Sequence, residues 1–195
     1  MAHSDDRVLL VVKPECFIVI SLSLLLVPWR WVISWVIAIA VHEFFHFIAI
    51  RLCKCEVWQI DVALDGVSMK TQFDRPWTEL VSTVAGPLGS ICLGLFANIV
   101  PRIAVCGYMQ FLFNLLPIYP NDGGRVLKVL FQRWMPSSMI VKALSLLNSC
   151  ICGLILIGSI YMSIRYRLGL IPVLTALMIS ARIKKPCKER RMRVQ

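Results

Sequence analysis

Long apolar runs broken by short polar turns make up most of this chain. Cys16 to Val27 is apolar, and Pro28-Trp29-Arg30-Trp31 follows as a turn with the aromatic anchors of a membrane interface. Trp31 to Ile50 is a second apolar run of 20 residues, long enough to cross a bilayer's hydrocarbon as a helix. Only Ser34 and the set His42, Glu43, His46 interrupt it, and the helix is expected to reach about Leu52. From Val57 to Phe73 the period changes to two. Trp58, Ile60, Val62 and Leu64 alternate with Gln59, Asp61 and Ala63, Asp65-Gly66 makes a turn, and Val67, Met69, Thr71 and Phe73 resume the pattern. That predicts a β-hairpin over 57–73, apolar enough on one face to lie against the membrane. Three more runs follow a third helix from about Thr78 to Val100: Ile103–Pro117, Ser138–Ile164 and Leu168–Ile183. The short run Val8–Val12, ended by Pro14, fits either a strand at the membrane surface or the foot of the first helix.

The expected fold class is therefore an all-α polytopic membrane protein, with about six transmembrane helices and a small membrane-associated β-hairpin between helices two and three. Residues 1–181 read as one transmembrane domain with its core at 31–131, and 182–195 as a basic cytoplasmic tail. Composition agrees: 58% of the 195 residues are hydrophobic, and the mean hydropathy is +0.74. No cleavable signal peptide is expected, because the first apolar run leads at once into the second. The net charge of +10 comes without a basic-aromatic module, so nucleic acid is not expected as a partner. With six spans and the N-terminus inside, 17 of the 21 lysines and arginines fall on the inner side and four on the outer. Both termini are then cytoplasmic, and the His-Glu-His end of helix two faces the cytoplasm. The tail, with seven basic residues between Arg182 and Arg193, fits an anionic leaflet, or a docking protein.

Candidate chemistry sits where it is most costly. An Asp, Lys or Arg at the centre of a membrane helix costs roughly 2.5–3.5 kcal/mol on insertion scales, so three ionisable groups within two turns call for a compensating partner. His42 and His46, at i and i+4, share a helix face and can reach one metal ion, with Glu43 placed as general base toward water. Asn114 to Arg125 carries Pro117, Pro120, Gly123 and Gly124 around Asp122, a broken helix of the kind tolerated at membrane depth only beside a protein cavity. Asp122 would complete a His/His/carboxylate set; alternatively it caps a helix starting at Gly123. Gly86 and Ser90 form a small-xxx-small pair that lets another helix approach, with Pro87 loosening the ladder between them. The eight cysteines lack Cys-x-x-Cys spacing, and Cys53-x-Cys55 and Cys150-x-Cys152 read as reduced packing residues rather than metal sites.

Three motifs in order carry a resemblance: His-Glu-Phe-Phe-His at 42–46, Ala-Gly-Pro-Leu-Gly-Ser at 85–90, and Asn-Leu-Leu-Pro…Asp-Gly-Gly-Arg at 114–125. Over roughly Val12 to Phe131 the chain resembles the site-2 protease family of intramembrane zinc metalloproteases (peptidase family M50), and most nearly its sporulation branch, which processes a sigma-factor precursor. The resemblance implies one zinc ion held by His42, His46 and Asp122, with Glu43 as catalytic base. Asn114 matches the polar residue opening the aspartate motif, and with Gly86 and Ser90 it is a candidate for transition-state or substrate contact. The chain departs from the family pattern at Tyr119, Asn121 and Ser90, where proline, an aliphatic residue and asparagine are usual. No CBS domain of the sporulation branch and no PDZ domain is expected.

The implied reaction is hydrolysis of a peptide bond in or beside a transmembrane segment of a membrane-bound substrate, such as a sigma-factor precursor or an anti-sigma factor. A membrane regulatory or inhibitor protein is an expected partner, and a bacterial cell membrane the expected location. The hairpin either pairs with the unwound substrate through an edge strand or closes the mouth of the bundle. The rival reading is a catalytically inactive protease-like scaffold or a metal-ion carrier. A carrier would need further polar groups along a path, and beyond Asn98, Asn114 and Asn148 the helices offer few.

Overall fold

Proline sets where the helices start. The computed structural model describes residues 8–63, 66–166 and 169–183. In chain order these form β1 (Leu9–Val12), α1 (Glu15–Leu26), α2 (Trp29–Leu52), β2 (Val57–Ala63), β3 (Gly66–Thr71) and α3 (Pro76–Cys92), which runs into a 3-10 turn at Leu93–Phe96. Then come α4 (Pro101–Leu115), α5 (Asp122–Phe131), α6 (Ser137–Tyr166) and α7 (Ile171–Ile183). Pro14, Pro28 and Pro136 immediately precede α1, α2 and α6, and Pro76 and Pro101 open α3 and α4. A missing N–H costs nothing in a first turn, and the fixed φ is already helical. The chain divides into two units, Met1–Asn114 and Leu115–Gln195.

In the first unit α2 and α3 are the most extensively packed helices. The buried row of α2 runs Ser34, Ala38, His42, His46, Ile50, each four residues from the last. On α3 the buried positions are Ser82, Thr83, Gly86, Pro87, Gly89 and Ser90. Small side chains on the α3 face let the two helices come close, as in membrane bundles where packing replaces the hydrophobic drive. The third helix was expected to run to Val100, but its α-helical part ends at Cys92. From Leu93 the chain tightens into the 3-10 turn, and Val100, standing before Pro101, is where that proline's ring disfavours helical geometry.

The expected hairpin is present but is not alone. β2 and β3 pair antiparallel, Ile60 opposite Met69 and Val62 opposite Val67, with a register irregularity between Val57 and Gln59. β1 adds to the other edge of β2 in parallel, Leu9 opposite Gln59 and Val12 opposite Val62, making a three-stranded sheet in the order β1-β2-β3. The Val8–Val12 run is thus a strand. A parallel neighbour needs a long crossover, which α1 and α2 supply. Ile60 and Met69 pack with Phe47, Ile50, Cys55 and Val57, tying the sheet to the end of α2. On the polar face the Gln59 side-chain amide donates to Asp61, and the Lys70 ammonium lies 3.2 Å from the same carboxylate. Gln59 first, and Lys70 after it, hold the Asp61 carboxyl below its ordinary range. Strand β3 begins at Gly66, with φ of 115°; Leu64 and Asp65, and so half of the expected Asp65-Gly66 turn, lie outside the described residues.

In the second unit α6 packs on α5 and α7. Among the described residues, three helices are long and apolar enough to cross a membrane: Trp29–Leu52, Pro76–Phe96 and Ser137–Tyr166. The other expected spans form helices of 12, 15 and 13 residues (α1, α4 and α7), shorter than the about 20 of a full crossing. Large aliphatic side chains cover the outside, Leu25 being 80% exposed and Leu95 82%. Such a surface suits lipid and not water, and this is a membrane protein. The expected N-terminal segment 1–7 and most of the basic tail, 184–195, lie outside the described residues.

Candidate metal centre

One regular helix supplies most of the chemistry. His42 and His46 are one turn apart on the buried row of α2, 2% and 8% exposed, and Glu43 beside them is half-buried. The two Nε2 atoms converge to 3.1 Å, with the rings edge-to-face at 85°. Each ring is held from behind by α3. His46 Nδ1 lies 2.7 Å from the Ser82 carbonyl oxygen; a carbonyl only accepts, so Nδ1 carries a proton, and in the neutral ring that tautomer leaves the Nε2 lone pair for a metal. His42 Nδ1 lies 2.8 Å from Ser90 Oγ, a hydroxyl able to accept from the tautomer that leaves Nε2 bare.

These features fit a metal. Two nitrogens on a tetrahedral zinc stand about 3.3 Å apart at Zn–N distances of about 2.0–2.1 Å, close to the spacing found here. Outer hydrogen bonds from Nδ1 are what fix ring and tautomer in metal-binding histidines. Gly86 makes the approach feasible: a Cβ there would stand 2.1 Å from His46 Nε2.

Gly86 and Ser90, the small-xxx-small pair also named as candidates for transition-state or substrate contact, lie against His46 and His42. Ser82 was missed in the sequence, although 82, 86 and 90 share a four-residue spacing that could have exposed it. Gln110, on the buried face of α4, was also missed. Its Oε1 and Ser82 Oγ are buried without a hydrogen-bond partner among the described residues. Asn114 is half-buried in the last turn of α4.

In the second unit Asp122 is the first residue of α5 and is 7% exposed. The cap position belongs to Asn121, which makes no side-chain capping bond, so the alternative of Asp122 as cap does not hold. A carboxylate in a first helical turn is favoured by the helix dipole. Gly123 and Gly124 let the preceding loop lie directly on that turn, a Cβ at Gly123 reaching within 2.2 Å of the Leu115 carbonyl oxygen. Ile118, 2% exposed, anchors the loop.

No protein-family model matches the chain. Over 107 residues it is 32% identical to a protein of Synechocystis sp. assigned by name to the zinc metalloproteases, an alignment taking in 47% of this chain and 28% of that protein. Over 158 residues it is 28% identical to stage IV sporulation protein FB of Bacillus subtilis, covering 74% of this chain and 55% of that one. The chain thus spans about half or less of the curated relatives it matches. Among solved structures, the site-2 protease from Methanocaldococcus jannaschii shares the fold, with a TM-score of 0.62 over 86% of this chain and 83% of that one at 19% identity. With the two histidines and their α3 partners in place, these likenesses point one way: the chain has the fold of a site-2 protease and is similar in sequence to proteins of the zinc metalloprotease and sporulation-protein-FB kind.

Proposed function

We propose that this chain is an intramembrane zinc metalloprotease that hydrolyses a peptide bond in or beside a transmembrane segment of a membrane-bound protein. The observation that carries the reading is the convergence of the His42 and His46 Nε2 atoms at 3.1 Å, each ring held at Nδ1 by α3. His42, His46 and Asp122 supply the donors, two imidazoles and a carboxylate, all buried; three protein donors of these types are usual in catalytic zinc sites. Bound zinc supplies Lewis acidity toward the scissile carbonyl and toward water. Glu43 takes the proton of the attacking water on a carboxylate oxygen and returns it to the leaving amine nitrogen as the C–N bond breaks. Asn114 offers a side-chain N–H to the developing oxyanion.

The substrate is drawn from membrane proteins subject to regulated proteolysis. Likeness to stage IV sporulation protein FB over 74% of the chain supports the sporulation branch, and with it a sigma-factor precursor, or an anti-sigma factor, as substrate. The 17-to-4 distribution of basic residues supports six spans with both termini in the cytoplasm and the site toward that side. β3 is a candidate for holding an unwound substrate.

Metal content and cleavage test this reading in sequence. One zinc per wild-type chain is expected, lost in His42→Ala and in Asp122→Ala. Glu43→Gln should retain zinc while cleavage of a membrane-anchored substrate falls by about 10²–10⁴. A folded wild type without zinc, or an active Glu43→Gln protein, would defeat the proposal and favour a scaffold.

A further inference from the structure

The loop that leads into Asp122 is gripped by a side chain outside all three motifs. Asn148 is buried in α6, 7% exposed. Its Oδ1 accepts from the Tyr119 N–H at 3.0 Å, and its Nδ2 donates to the Tyr119 carbonyl oxygen at 2.9 Å. A carboxamide carries one acceptor and one donor side by side, and here it replaces the partner residue of an antiparallel pair. Tyr119 offers both groups on one edge because Pro120 follows it, and a residue before proline is pushed toward extended geometry.

Tyr119 is three residues from Asp122, and little slack lies between. The Asn121 N–H donates to the Ile118 carbonyl oxygen at 2.7 Å, and the Arg125 N–H to that of Asn121 at 3.0 Å. A Cβ at Gly124 would stand 2.4 Å from the Tyr119 nitrogen. Loop and first turn of α5 therefore move as one piece, and Asn148 holds that piece to α6. We infer that Asn148 is a positioning residue for Asp122: its grip on Tyr119 sets where the carboxylate is presented to the metal. The inference rests on the proposed reading of Asp122 as a ligand.

The test uses the full chain purified in detergent, with zinc affinity measured against a competing chelator and the cobalt(II) absorption spectrum recorded as a probe of coordination. Asn148→Leu should bind zinc ten- to a hundred-fold more weakly than wild type, the range for loss of an outer support of a ligand. Its cobalt bands should shift as well. Ser149→Ala, which removes a hydroxyl bonded to the Ser145 carbonyl of the same helix, should change neither. Asn148→Asp keeps the acceptor and loses the donor; it decides the matter if the leucine variant does not fold. Wild-type affinity and spectrum in a folded Asn148 variant would overturn the inference whatever its melting temperature. Failure of both variants to fold would overturn it too, by making Asn148 a requirement of the fold rather than of the site. Wild-type protein that binds neither metal would instead remove the reading of Asp122 beneath it.

Discussion

The histidine pair on α2 and the turn that carries Asp122 are built in opposite ways. On α2 the donors lie in one unbroken helix, where a four-residue spacing alone aligns two imidazoles. At Asp122 the backbone is irregular, and its course depends on two prolines, two glycines, the buried Ile118 and the grip of Asn148. The first is robust in placement but sensitive to what touches the rings. The second is sensitive to its own backbone.

Substitutions at the close approaches should break each of the two most severely. Gly86→Ala puts a methyl group 2.1 Å from His46 Nε2, and a ring packed between two helices has little room to move. Zinc should be lost, with affinity down at least about 100-fold, and overpacking should cost about 1–3 kcal/mol in thermal or denaturant unfolding. Wild-type zinc affinity in that variant would show that His46 does not need its place against α3. Gly123→Ala meets the backbone oxygens of Leu115 and Leu116 at 2.2 and 2.6 Å. That loop cannot give without losing its turn, so limited proteolysis should cut near 115–124 while α2 keeps its helicity.

Smaller effects sharpen the contrast. Ser90→Ala removes the hydroxyl behind His42 and leaves the ring in place. Metal affinity should fall about ten-fold, with unfolding changed by roughly 1 kcal/mol, the net worth of one hydrogen bond. The smallest effect lies in the sheet. Asp61 has a native pKa below its unfolded value, so it contributes stability above about pH 3.9 that is lost as pH falls through the depressed native value. Melting temperatures of wild type and Asp61→Asn should differ at pH 6 and converge toward pH 2. A constant gap would mean that Gln59 and Lys70 do not support the charged form.

Much of this was legible in the chain because it is local. The i, i+4 histidines, the apolar run around them and the period-two alternation at 57–63 each lie within one element, where helix or strand geometry maps spacing onto faces. The third strand was less legible. Nothing in Leu9–Val12 states that it pairs with Gln59–Val62, across two intervening helices. The neighbours of Gly86 and Ser90 were hidden for a related reason: a small-residue stripe announces close approach without saying which side chain will fill the space.

By itself the sequence determined that this is a membrane chain with a helix carrying two imidazoles on one face and a glutamate beside them, since hydrophobic length and helical period require only neighbouring residues. The tertiary structure decided what holds those groups. Ser90 reaches His42 across 48 residues, Ser82 reaches His46 across 36, and Asn148 reaches Tyr119 across 29. Such pairings depend on which helix faces pack together, and a small or polar residue carries no mark of its distant partner until the fold brings the two within hydrogen-bond range.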